Sequence, residues 1–126
     1  MVNLLKETAE KLKDNGKTPD DVLWVGSVGS YSTWENFAIV ANVEYDSGYG
    51  GAEVAEDLLV VGKNWWLERH EYDGSEWWEF KSLPPKPKRK ITIVALTENQ
   101  AKDLGFDVYA GSQGLEALNN MGENNE

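Results

Sequence analysis

His70 is the only histidine of the chain, and it stands among Glu68, Glu71 and Tyr72. On a strand, alternation places Glu68 and His70 on one face, which suits a base with its orienting carboxylate or two ligands of an N,O metal site. No transition-metal set is completed, because the 126 residues hold no second histidine and no cysteine. An imidazole packed against Trp77 and a carboxylate on a sheet surface accounts for the same residues. Carboxylates are abundant: with Asp73-Gly74 as a two-residue hairpin turn, Glu68 faces Glu79 and Glu71 faces Glu76. Two acids flanking a substrate are the glycosidase arrangement, but neighbouring acids on one small solvated ribbon have no cleft. Like charges so opposed destabilise a sheet by about 0.2–1 kcal/mol per pair. They call for relief by Arg69, Lys81 and solvent, or for an acidic surface that meets a basic partner. No phosphate loop, dinucleotide fingerprint or nucleophile motif is present, and Asp46-Ser47-Gly48 is too short for a calcium loop. No catalytic residue, metal or cofactor is expected, and the protein is read as no enzyme.

The segment that must position these residues runs from Trp65 to Phe80 and carries four of the six tryptophans. The turn predicts Leu67 facing Phe80, Arg69 facing Trp78 and His70 facing Trp77. One face then carries Trp65, Leu67, Arg69, Trp78 and Phe80, and the other Trp66, His70, Tyr72 and Trp77. Aromatics on both faces are unusual for a sheet with one solvated side. Adjacent tryptophans on a strand point to opposite faces, so one member of each pair lies outside the main core unless both faces are covered. Tryptophan and tyrosine ringed by charge is the composition of interface hot spots.

Charge bounds the partner. Residues 33 to 80 hold eleven acids against Lys63 and Arg69, which leaves −9 of the net −10. Direct nucleic-acid binding is disfavoured, since that affinity comes mainly from Lys and Arg displacing counterions. An acidic face suits a basic protein. The start of the chain lacks a secretory pattern and no run approaches a membrane span, so a cytoplasmic protein is expected.

The remaining elements follow from periodicity and caps. Leu4, Leu5, Ala9 and Leu12 predict a helix over 3–14 ended by Gly16. Thr18-Pro19-Asp20-Asp21 starts one short turn, and 22–25 a strand. Ser32-Thr33-Trp34-Glu35 reads as a capping box with Ser32 as the cap. It favours a helix over 33–42 that buries Trp34, Phe37, Ala38 and Ala41, against a competing strand alternation from Phe37 to Tyr45. Residues 45–51 form a glycine-rich loop, 52–57 one helical turn, and 58–61 a buried strand that opens a three-stranded meander over 58–82.

The fold class expected is α+β: an antiparallel meander of three or more strands with two main helices and a C-terminal strand-helix extension. Residues 1–83 form the compact domain, 84–90 a Pro-rich basic linker, 91–111 a strand-helix-strand extension of the same domain, and 112–126 a mostly flexible tail, with 119–126 disordered unless bound. The extension begins with a strand over 91–96, followed by a helix capped by Thr97-Glu98-Asn99-Gln100 and a last strand over 106–109. The cations of 86–90 are either solvated against the protein's own acids or a short basic contact arm for nucleic acid.

Three segments carry a resemblance: Asp21 to Ser27, Trp34 to Phe37 running into Glu44 to Gly50, and Trp66 to Phe80. Together they are similar to small acidic proteins encoded by phages and prophages of Gram-positive bacteria, over roughly residues 15–83. The resemblance transfers no catalytic residues. By analogy of size, charge and origin with anti-CRISPR and anti-restriction proteins, some of which imitate DNA, it implies a non-enzymatic inhibitor in the bacterial host cytoplasm. Its partner would be a basic nuclease or other nucleic-acid-binding host protein, with no membrane contact and with homodimerisation left open. The expected contact residues are Trp66, Glu68, His70, Glu71, Tyr72, Asp73, Glu76, Trp77 and Glu79. The alternatives are a module stacking a sugar or base on Trp66 and Trp77, and an accessory of phage assembly.

Overall fold

Leu4, Thr8 and Leu12 recur every four residues and form the buried stripe of the first helix, α1 (Leu4–Asp14), which follows the short strand β1 (Val2–Asn3). Asn3 caps α1 by accepting from the Lys6 amide at 3.0 Å, which satisfies one of the orphan donors of the first turn. At the other end Gly16 lies at φ +74, and the amides of Gly16 and Lys17 return to the carbonyls of Lys13 and Leu12 at 3.0 and 2.8 Å. This is the glycine stop that the sequence predicts. The stripe differs from expectation in one place: Ala9 is exposed and Thr8 is buried. The Thr8 hydroxyl donates to the Leu4 carbonyl at 2.7 Å and accepts from the Trp78 indole at 2.9 Å, so a polar side chain is accommodated in the core with both bonds made.

The computed structural model describes residues 1–48, 50–106 and 114–119. It divides into two compact units, Met1–Pro84 and Pro85–Glu126, with the division at the proline run. In the first unit a 3-10 turn (Pro19–Asp21) leads into β2 (Val22–Gly26), β3 (Tyr31–Ser32), α2 (Trp34–Ala41), β4 (Glu44–Tyr45), β5 (Leu59–Gly62), β6 (Trp65–Tyr72) and β7 (Ser75–Ser82). Five strands make one antiparallel sheet in the order β3-β2-β5-β6-β7, and β1 pairs with β4 as a separate ribbon. The fold is α+β. The core joins Leu4 and Leu12 of α1, Phe37 and Ala41 of α2, and Tyr45 to Val25, Val60, Trp65, Leu67 and Trp78 of the sheet. Both helices therefore lie on one face of the sheet.

Helix α2 forms as the cap signal predicts, but its cap is Thr33, which accepts from the Asn36 amide at 3.0 Å. Ser32 belongs to β3, and its hydroxyl donates to the Asn36 side chain at 2.8 Å. The expected box thus moves by one residue because Ser32 is held in strand pairing with Val25. Phe37 and Ala41 are buried, while Trp34 and Ala38 are half-buried. Residues 52–57 make a turn at 56–57 and no helical turn, and the next strand begins at Leu59.

In the second unit, α3 (Glu98–Asp103) carries the predicted capping box of Thr97 and Gln100 and ends at Gly105, φ +86. The strand expected over 91–96 is absent from the described residues. The side chain of buried Asn119, at the end of α4 (Leu115–Asn119), takes the bonds that a neighbouring strand would. It accepts from the amides of Val94 and Ala95 at 2.8 and 3.0 Å and donates to the Ala95 carbonyl at 3.1 Å. Ala95, Ala101 and Leu118 are buried beside it, with Phe106 packed on them. Asn119, where the tail was expected to begin, makes these bonds, and α4 lies within the stretch expected to be flexible. The final strand over 106–109 and the tail from 120 lie outside the described residues, apart from Phe106.

Candidate binding face

The β6–β7 hairpin has the register predicted from its turn: Leu67 pairs with Phe80, Glu68 with Glu79, Arg69 with Trp78, His70 with Trp77 and Glu71 with Glu76. Asp73 and Gly74 both have positive φ, 53 and 86, which is the type I′ turn that matches strand twist. A side chain at Gly74 would place its Cβ 2.7 Å from the Gly50 carbonyl oxygen. The glycine-rich loop therefore packs on the hairpin tip, and Glu76 completes the tie by donating its amide to the Ser47 carbonyl at 2.9 Å.

The face away from the helices carries Trp66, Glu68, His70, Tyr72, Trp77, Glu79 and Lys81, and the neighbouring strands extend it with Leu59, Val61 and Trp24. All are half-buried except Tyr72, which is 76% exposed. Each indole donates to the glutamate two residues along its own strand. Trp66 bonds Glu68 at 2.7 Å and Trp77 bonds Glu79 at 3.1 Å. His70 lies between the opposed carboxylates, its Nε2 2.6 Å from Glu68 and 3.7 Å from Glu79, with its ring stacked on Trp77 at 6.4 Å. Lys81 Nζ is 3.4 Å from Glu79. The Trp66 indole, and then His70, hold the Glu68 carboxyl below its ordinary range; Trp77 does the same for Glu79. The opposed pair is thus stabilised in ionised form by donors on the same face.

The second opposed pair is resolved differently. Glu71 turns out to solvent and accepts from the Gly74 amide at 3.3 Å. Glu76 is buried, with its side chain only 2% exposed, against Arg69 at 2.9 Å. Its carboxylate also accepts from the amides of Glu53 and Val54 at 2.6 and 3.2 Å. Burial alone would raise its pKa, but the Glu53 amide, the Arg69 guanidinium and the Val54 amide outweigh it, and the net shift is downward. Arg69, 3% exposed, lies over the Trp78 ring at 4.8 Å and donates to the Tyr45 hydroxyl at 3.0 Å. That hydroxyl donates to Glu7 at 2.6 Å. Burial, then the bond to Glu7, pushes the Tyr45 pKa up to about 12.

Of the nine expected contact residues, Trp66, Glu68, His70, Tyr72, Trp77 and Glu79 share the outer face, and Asp73 and Glu71 are exposed at the tip. Glu76 is corrected: its carboxylate belongs to the core network, where its burial requires the partner Arg69. Exposed Glu56 and Glu71 line a recess of about 320 Å³ together with Ala52, Val54, Arg69, His70 and Glu76. Nothing in the sequence placed that loop there, because its docking depends on Gly50, Ser47 and Glu76 meeting across the chain. Lys81, expected to relieve the opposed acids, lies beside Glu79 on this face, and Trp24 was missed.

Among the described residues no group of three or more His, Asp or Glu side chains is arranged to hold a metal ion, and no helix is long and apolar enough to cross a membrane. The first unit is defined as an α+β domain with an aromatic, carboxylate-rich sheet face. No family model and no solved structure matches the chain. A segment is 35% identical over 77 residues to the genome polyprotein of Kokobera virus, covering 57% of this chain and 2% of that polyprotein. The chain thus spans a small fraction of the length of that relative.

Proposed function

We propose that the protein is a non-enzymatic inhibitor that docks its outer sheet face and acidic hairpin tip onto a basic, nucleic-acid-binding surface of a host defence protein. The observation that carries this reading is the prior pairing of the face: both indoles and His70 are already bonded to Glu68 and Glu79. Large aromatic surfaces are thereby held in one geometry, which lowers the ordering cost of association. Carboxylates held ionised suit attraction of cations and not proton donation to a substrate. The basic character of the partner follows from the charge, and the defence role from the resemblance to phage-encoded proteins. Ligand stacking on Trp77 is the weaker reading, since His70 already stacks on that ring.

The test is inhibition of DNA binding by a panel of RNA-guided and restriction nucleases, followed across a salt titration. Inhibition that weakens steeply with salt and is lost in a Trp66→Ala, Trp77→Ala double variant of unchanged fold supports the reading. Absent binding, or binding indifferent to salt, overturns it.

A further inference from the structure

Strand β7 is eight residues long and ends the five-stranded sheet. Its backbone polarity is fixed at both ends. The Glu76 amide bonds Ser47 on the side away from β6, and the Leu83 amide bonds Asn64 on the β6 side. The two-residue period of a strand then directs the N–H and C=O groups of Trp78, Phe80 and Ser82 away from β6. Among the described residues nothing pairs with them. Along this edge runs a groove of about 240 Å³ between α1 and β7, lined by Glu7, Glu10, Lys11, Asp14, Trp77 and Trp78. Natural sheets usually blunt a long edge, since a row of unpaired backbone groups is a template for another strand.

We propose that this edge takes an extended, lysine- or arginine-bearing peptide segment of a partner protein as a sixth strand. The inference rests on the reading that the first unit takes a basic partner, and adds the mode of attachment. Ser47 already sits as the first residue of such a strand would, with its carbonyl on the outward amide of Glu76. The incoming backbone bonds Trp78, Phe80 and Ser82, while its cations meet Glu10 and Asp14, with Lys11 the one cation lining the groove; Glu7, at the same groove, is already held by Tyr45 and Arg69. Main-chain bonds supply affinity and the acids select for positive charge. A second copy of this chain is disfavoured at the same edge, because it would bring those carboxylates against their own equivalents.

The probe is a capped peptide of alternating lysine and valine, compared at low salt with the same sequence N-methylated at every residue, which keeps the charge and removes the N–H donors. The expected result is affinity for the unmethylated peptide at least about tenfold higher, with the Phe80 and Ser82 amides protected from hydrogen exchange only in its complex. Equal affinity, or unprotected amides, overturns the edge site and leaves the charge-based reading standing. If neither peptide binds, the charge-based reading fails and the edge site with it. A dimer in sedimentation that protects the same amides assigns the edge to a second copy and overturns the peptide site.

Discussion

The two faces of the β6–β7 hairpin use the same kinds of residue, carboxylate, cation and aromatic ring, in opposite settings. Inside, Arg69 and Glu76 are buried and join Tyr45 and half-buried Glu7 in a network in which Glu76 also takes two backbone amides of the 52–57 loop. Outside, Glu68, His70, Glu79 and two indoles form a network that water reaches. Burial makes the inner cluster expensive to disturb, because removing one partner strands a charge in low dielectric. Solvent makes each outer pair worth little to stability. The same chemistry is thus a clasp holding loop, helix and hairpin together on one side, and on the other a surface whose order is available to a partner.

Glu76→Gln removes the nearer carboxylate of buried Arg69, leaving it only Glu7 at 3.7 Å, and should have the largest effect, about 3–5 kcal/mol in denaturant unfolding. Because the folded pKa of Glu76 lies below its ordinary value of 4.5, its contribution is present above that pH and lost as pH falls through the folded value. The stability gap between native and variant proteins should therefore narrow below pH 4.5; a gap that stays constant would remove Glu76 from the clasp. Next in size is Thr8→Val, which keeps the volume and leaves the Trp78 indole N–H unpaired in the core, at about 1–3 kcal/mol. An unchanged unfolding midpoint would show that the indole has another acceptor.

Tyr45→Phe removes the hydroxyl that links Arg69 to Glu7 and should cost about 1–2 kcal/mol at neutral pH. The folded pKa of about 12 exceeds the ordinary 10.0, so this stability is fully present below pH 10 and lost as pH rises towards 12. Denaturation curves for the two proteins should converge across that window. Convergence already at pH 8 would place the tyrosine outside the network.

What the residues disclosed and what they hid divides along the same line. The hairpin, its register and its two aromatic faces were legible because Asp73-Gly74 and strict alternation are local signals with one geometric answer. Helix α2 was legible through its cap, although the cap fell on Thr33 once Ser32 was taken by strand pairing. The clasp was legible only in part: relief of the opposed acids by Arg69 was expected, but Tyr45 and Glu7 join it from distant parts of the chain, and only tertiary packing shows that Glu76 leaves the surface while Glu71 stays on it. Thr8 was hidden because its hydroxyl needs Trp78, seventy positions away. Ile91 to Leu96 read as a strand on propensity alone, and Asn119 supplied the bonds a strand partner would have made.

The smallest stability effect should be the most informative about the outer face. Glu68→Gln keeps the shape of the side chain and can still accept from the Trp66 indole, but it removes the charge that His70 and the incoming cations meet. On the half-exposed face this should change folding stability by no more than about 1 kcal/mol. If the outer face attracts a basic partner, the same change should weaken that complex and flatten its salt dependence, with the association rate falling more than the dissociation rate rises. A loss of stability near that of Glu76→Gln would instead make the outer cluster a second clasp, and the two faces of the hairpin would no longer divide structure from recognition.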